Sequence, residues 1–169
     1  MGIKLSDIAS FSQGKQVEIN EQYLTQDKDN VRFIRIVDYT NSSEPPRYIN
    51  NYGSNYYVEK DDIVVIRYGS QTAGRIVRGL SGIIANNMFK INFHKPVNKS
   101  FLYYFLSRDE IYHQLRKSQS SSTMPAITFS VMNDIEIPDF TKEYQSHIVN
   151  TNSSNILFLY TILYFLYLQ

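Results

Sequence analysis

The sequence contains no cysteine. That excludes a disulfide framework, a zinc–thiolate site, an iron–sulfur cluster and a cysteine nucleophile. Tryptophan is also absent, and the three histidines, His94, His113 and His147, are too scattered for a histidine-built metal site. Net charge is small, with 17 Lys+Arg against 16 Asp+Glu for +1. The opening Met1-Gly2-Ile3-Lys4-Leu5-Ser6-Asp7 lacks the continuous apolar segment of a secretory signal. With no cysteine and no signal, a cytoplasmic location is expected. The most apolar stretch, Ile156 to Leu168, covers 13 residues, short of the ~20 that span a bilayer, so no membrane association is expected.

Catalytic motifs are missing as well. Gly69-Ser70-Gln71-Thr72-Ala73-Gly74 has the glycine spacing of a phosphate-binding P-loop, but Arg75 and Ile76 stand where the loop needs Lys and Ser or Thr. A glycine-bounded turn is the better reading. Glu44-Pro45-Pro46-Arg47 has the wrong first and last residues for an amino-methyltransferase tetrapeptide. No glycine-rich cofactor loop follows a strand, and Pro138-Asp139 is not followed by the Glu-x-Lys of a nuclease metal motif. The chain reads as a non-enzyme with no cofactor and no metal.

What is present is aromatic and β-rich. There are 14 Tyr and 10 Phe, and 43% of residues are hydrophobic, enough for a core in one domain. Leu5 and Ile8 place a short helix before Gly14. Val31–Val37 reads as a strand and Thr40–Asn55 as a long loop. Ile63–Tyr68, Arg75–Arg78, Gly82–Ala85 and Met88–Phe93 read as further strands. A helix capped by Asn98 or Ser100 carries Phe101, Phe105, Tyr112 and Leu115 on one face to about Lys117. Ser118–Thr123 is a serine-rich loop, expected to be structural or phosphate-facing. Met124–Thr128 re-enters a sheet, Ile135–Pro138 is a last short strand, and the chain turns helical from Thr141. The fold class is α+β.

Charge is segregated along the chain. Between Ile63 and Arg108 lie Arg67, Arg75, Arg78, Lys90, Lys95, Lys99 and Arg108, with no acidic residue. A strand-rich segment of one sign, interleaved with Asn, Gln, Ser and Tyr, suits a surface that tracks phosphates, and Arg and Asn are side chains that read base edges.

These features together resemble one half of a type I restriction–modification specificity subunit. The resemblance rests on Lys4-Leu5-Ser6-Asp7-Ile8-Ala9 with Gly14, and on Arg32 to Tyr39, similar to the family's R-x-I-x-x-x-D strand. Asp61 to Ser70 is similar to its G-D-I-L strand, with Asp61 for the usual Gly, and Gly74 and Asn86-Asn87-Met88-Phe89 continue the pattern. Phe101 to Leu106, Ser121 to Ile127, Ile135 to Pro138 and Tyr144 to Val149 follow in the family's order, with Tyr144 for Glu in E-Q-x-x-I. The resemblance covers residues 1 to about 150.

It implies a non-catalytic target-recognition domain over residues 1–140, built on a twisted mixed sheet with packed helices. Residues 141–169 would form a C-terminal helix for association. The partners implied are double-stranded DNA, a methyltransferase subunit and a restriction subunit. Complete members carry two such domains and this chain carries one; a homodimer joined through the apolar tail would restore the pair. The expected DNA-binding residues are Arg67, Tyr68, Gln71, Arg75, Arg78, Asn86, Asn87 and Lys90. Strand alternation would put Arg67 and Tyr68 on opposite faces. Asn41–Asn55 is a second candidate reader. The alternative is a truncated module that binds the methyltransferase subunit without reading DNA.

Overall fold

Val64, Val65 and Ile66 are all buried, and alternate residues of this strand enter two different cores. A strand covered on both faces reads as a continuous apolar run, as this one does. It belongs to the central sheet of the computed structural model, which describes residues 2–117 and 126–153. The serine-rich loop Ser118–Thr123 and the apolar tail Ile156–Leu168 lie outside the described residues, as do Met124 and Pro125.

Ten strands are assigned among the described residues: β1 (Ile3–Lys4), β2 (Ala9–Gln13), β3 (Asn30–Ile34), β4 (Arg47–Asn50), β5 (Tyr57–Val58), β6 (Val64–Ile66), β7 (Ile76–Val77), β8 (Gly82–Ile84), β9 (Met88–Phe93) and β10 (Glu136–Ile137). Helices α1 (Val37–Thr40), α2 (Lys99–Leu106), α3 (Asp109–Lys117) and α4 (Phe129–Asn133) accompany them. Residues 142–153 form α5. The central sheet has the order β2-β9-β6-β7, the second β4-β3-β8-β5, and β1 pairs with β10. All pairings are antiparallel except β3 with β8.

The central sheet is the middle of three layers. Ile63, Val65, Phe89 and Ile91 pack on Phe101, Leu102, Phe105 and Leu106 of α2, Ile111 and Leu115 of α3 and Met132 of α4. Val64, Ile66 and Met88 pack instead on Phe33, Ile34, Ile49, Val58, Ile83 and Ile84 of the second sheet. Each such side chain contributes about 1.5–3 kcal/mol on burial.

Several local expectations change. The residues around Leu5 form one 3-10 turn, Leu5–Asp7, after which Ala9–Gln13 extends as β2. Leu5 and Ile8 are both buried as expected, but Ala9, Phe11 and Gln13 alternate with Ser10 and Ser12, a strand period. The long loop from Thr40 contains β4, whose Tyr48 and Ile49 pair with Arg32 and Val31. The helix capped by Asn98 stops at Leu106, Ser107 turns back to bond Tyr103 O, and α3 starts afresh at Asp109.

Two of the sequence motifs noted above acquire physical content. The ends of R-x-I-x-x-x-D meet: Arg32 Nη2 lies 3.4 Å from Asp38 Oδ1, and Asp38 also accepts from Arg35 N at 2.7 Å. In the second, Asp62 is 7% exposed and closes a turn by accepting from Glu59 N at 3.0 Å.

Candidate nucleic-acid interface

The eight expected site residues divide between the two ends of β6. Val64 pairs with Lys90 and Val77, so Lys90 and Arg78 sit at its start; Ile66 pairs with Met88, so Arg67, Tyr68, Asn86 and Asn87 lie at its end. Gln71 and Arg75 belong to the turn that leaves that same end. From Ile63 to Arg67 the chain rises about 13 Å, which separates the two groups.

At the start of β6 the basic residues make contacts within the fold. Lys90 Nζ is 2.7 Å from Asp62 Oδ2, and Lys99 Nζ is 2.8 Å from Asp62 Oδ1 and 3.0 Å from Asp61 Oδ2. Burial pushes the Asp62 carboxyl up, but the Glu59 N–H and the two ammonium groups outweigh it and hold it below its ordinary range. Burial likewise lowers Lys99, and Asp62 and Asp61 outweigh that, leaving it raised. Lys90 also donates to Tyr57 O at 3.2 Å, so its charge is committed to joining the two sheets. Arg78 stacks on Tyr103, 4.1 Å from the ring centre, and donates to Ser100 Oγ at 3.2 Å.

Ion pairing therefore absorbs part of the basic stretch. Lys90, Lys99 and Arg108 pair with Asp62, Asp61 and Glu110, acids that flank the stretch in sequence. Arg67, Arg75, Arg78 and Lys95 have no acidic partner among the described residues.

The other end of β6 carries a connected polar patch. Arg67 Nη1 donates to Gln13 Oε1 at 2.7 Å. Gln13 in turn donates to the carbonyl of Asn86, and the Asn86 amide donates to Gln16. Arg67 lies over the Tyr68 ring at 5.0 Å, so these two side chains meet rather than point apart; the strand ends at Ile66 and alternation does not extend past it. Two buried atoms of the patch, Arg67 Nε and Asn87 Oδ1, have no hydrogen-bond partner among the described residues. Lys15 stands over Tyr52 at 4.7 Å and Tyr56 at 5.6 Å, bringing residues 52–56 to the same corner.

This corner exists because Gly14 lets two sheets touch. Gly14 N bonds Met88 O at 3.0 Å in the central sheet, and Lys15 N bonds Ile84 O at 2.8 Å in the second. A Cβ at Gly14 would collide with the carbonyls of Ile84 and Ala85. Gln13 lies in the segment before Gly14 that reads as helical from sequence, and Lys15 and Gln16 follow that glycine with no motif of their own. The Ala9-Ser10-Phe11-Ser12-Gln13 alternation was the available signal.

The turn from Gly69 to Gly74 is held from behind by α3. Arg116 donates to Ser70 O at 2.6 Å and Ala73 O at 3.2 Å, and Tyr112 Oη donates to Gln71 O at 3.1 Å. Arg75 Nε reaches Gln71 O at 3.2 Å. Gly69 has φ +123°, and its missing Cβ leaves room for Thr72 Oγ1. The glycine spacing thus makes a turn, followed by strand rather than by the helix of a P-loop.

Chemically, the patch offers amide groups and a guanidinium for hydrogen bonding, with the Arg67 guanidinium over the Tyr68 ring. No group of His, Asp or Glu suited to hold a metal occurs among the described residues. No helix among them is long and apolar enough to cross a membrane.

Comparison with known proteins places the fold. The family model described as type I restriction modification DNA specificity domain matches residues 2–151. Among solved structures, a chain from work on complex assembly and conformational transition of the type I R-M system superposes with TM-score 0.68 at 16% identity, covering 96% of this chain and 39% of that one. The type I restriction-modification S subunit from M. genitalium gives 0.60 at 20% identity, over 91% and 38%. The HsdS subunit from Thermoanaerobacter tengcongensis gives 0.64 at 16% identity, over 91% and 36%. The chain thus spans about two fifths of the length of these proteins. No curated protein matches it.

Proposed function

The chain belongs to the type I restriction modification DNA specificity domain family, and from that premise we propose that it reads one half of a bipartite DNA site for a separate methyltransferase. The observation that carries this reading is the patch at the end of β6, where Arg67, Gln13, Asn86 and Gln16 form one hydrogen-bonded series beside Tyr68. Arg, Asn and Gln are the side chains that make paired contacts with guanine and adenine edges in the major groove. Holding them in a network fixes their direction before DNA arrives, which lowers the entropy lost on binding.

In this reading residues 1–140 contact DNA and the chain performs no chemistry. Methylation and cleavage belong to partner subunits, a methyltransferase and a restriction subunit. Residues 141–169 mediate association, and two copies joined there supply two readers with two-fold symmetry. Lys90, from its place in the Asp62 ion pair, acts in folding, and Arg67, Tyr68, Gln71, Arg75, Asn86 and Asn87 form the reading end.

Binding of the full chain to mixed-sequence duplexes at several salt concentrations tests the reading. A linear fall of log K with log salt, with slope reduced in an Arg67→Gln/Arg75→Gln variant, is the expected result. Methyltransferase binding with no salt-dependent DNA affinity would instead favour a module that only holds its partner.

A further inference from the structure

The turn between Tyr68 and Arg75 has an unusual hydrogen-bond balance. Every carbonyl from Tyr68 to Ala73 is engaged inside the protein. Tyr68 O accepts from Thr72 Oγ1 at 3.0 Å, Gly69 O from Ala73 N at 3.1 Å, and Thr72 O from Arg75 N at 3.0 Å. Ser70 O and Ala73 O accept from Arg116, and Gln71 O from both Tyr112 Oη and Arg75 Nε. The N–H groups of Ser70, Gln71 and Thr72 have no acceptor among the described residues. Ser70 and Gln71 are exposed.

Two of these carbonyls, Ser70 O and Ala73 O, are held by the Arg116 guanidinium, and the three successive N–H groups have no acceptor among the described residues. Successive backbone N–H groups in a turn form an anion-binding concavity. The neighbouring charges agree: Arg116 lies behind the turn, Arg75 follows it and Arg67 precedes it. The Lys and the Ser or Thr that hold a nucleotide triphosphate and its metal are absent, so the turn suits a single phosphate group. An isolated ion would gain three contacts on an exposed turn. A phosphate within a duplex would also bring its neighbours against Arg67, Arg75 and Asn86 at the same end of β6.

We propose that the Ser70–Thr72 turn is an anion seat that takes one backbone phosphate of the DNA on its three N–H groups. This rests on the DNA-reading function proposed above and adds to it a contact that fixes register without reading sequence. Arg116 and Tyr112 are its positioning residues.

The test is amide NMR of the full chain, titrated separately with inorganic phosphate and with a mixed-sequence duplex, together with duplex affinity of a Ser70→Asp variant. The seat predicts that the Ser70, Gln71 and Thr72 amide signals move in both titrations. The new carboxylate, occupying the seat from within, should weaken duplex binding about tenfold, the size of a hydrogen bond to a charged group. Should Ser70→Asp fail to fold, the wild-type amide shifts still decide. Duplex binding that leaves these three amides unmoved, with Ser70→Asp binding as wild type, would overturn the seat and leave the DNA-reading function intact. Shifts with inorganic phosphate but none with duplex would overturn DNA as the source of the anion. A chain that binds no duplex at all would overturn the DNA-reading function, and this assignment with it.

Discussion

Arg67 Nη1 and Gln13 Oε1 are 2.7 Å apart, although 54 residues separate them in the chain. The contact ties the end of β6 to the end of β2 and sets the direction in which the guanidinium presents its remaining donors. Gln13→Ala should therefore weaken DNA binding without touching DNA itself, and Gln13→Glu should weaken it more, by placing a carboxylate on Arg67. Competition binding with a preferred and a scrambled duplex measures this; unchanged affinity in both variants would remove Gln13 from the site.

Arg67→Ala should cost about 1–3 kcal/mol with the preferred duplex and relax base preference at one position. Arg67→Lys should recover charge but not preference, because an ammonium lacks the planar fork. Anisotropy against duplexes varied one base pair at a time gives both numbers.

Lys90→Gln should lower stability while leaving DNA affinity nearly unchanged, since its ammonium is spent on Asp62 and Tyr57 O. Urea unfolding and duplex binding on the same sample separate the two effects. A large loss of affinity with unchanged stability would return Lys90 to the DNA surface.

Asp62→Asn should destabilise the domain by roughly 2 kcal/mol at neutral pH, reduced from the fully buried case because Lys99 reaches water. The folded pKa of Asp62 is lowered, so its contribution is present above the unfolded value of about 3.9 and is lost as pH falls through the folded value. The stability gap between wild type and variant should close as the solution is acidified below that range. Urea midpoints at neutral and acid pH check the sign.

Gly14→Ala should destabilise by roughly 3 kcal/mol or prevent folding, because a Cβ there meets the backbone carbonyls of Ile84 and Ala85, which cannot give way as a side chain would. Thermal unfolding by circular dichroism reads it.

The parts of this structure legible in sequence are those set by local pattern. The apolar run in Ile63–Tyr68 reads as a strand, and Val64–Ile66 is one; of the two caps the sequence offers, Asn98 and Ser100, Asn98 is the one whose side chain accepts from Phe101 N, at 3.0 Å. The order of short motifs carried the family. Less legible was the break at Ser107-Arg108, where neither Gly nor Pro interrupts the apolar period running from Phe101 to Leu115. Leu5 and Ile8 fit a helical spacing as well as a turn followed by a strand. Of the site, Arg67, Tyr68, Asn86 and Asn87 were named from residue type and are brought together by the register of β6 and β9. The shielding of Lys90 and Lys99 was not foreseen, because Asp61 and Asp62 sit just outside the stretch whose charge was counted. Gln13 and Arg116 reach the site by contacts that no local pattern encodes.

The central claim is that this chain selects DNA by sequence. Enrichment from a random-sequence duplex pool, using the full chain with and without a type I methyltransferase subunit, tests it most directly. The account predicts enrichment of a defined half-site, present as a two-fold repeat if two chains associate, with one position of that half-site losing its preference in Arg67→Ala. A pool that binds with salt dependence but emerges unenriched, in both the presence and absence of the methyltransferase subunit, would contradict it.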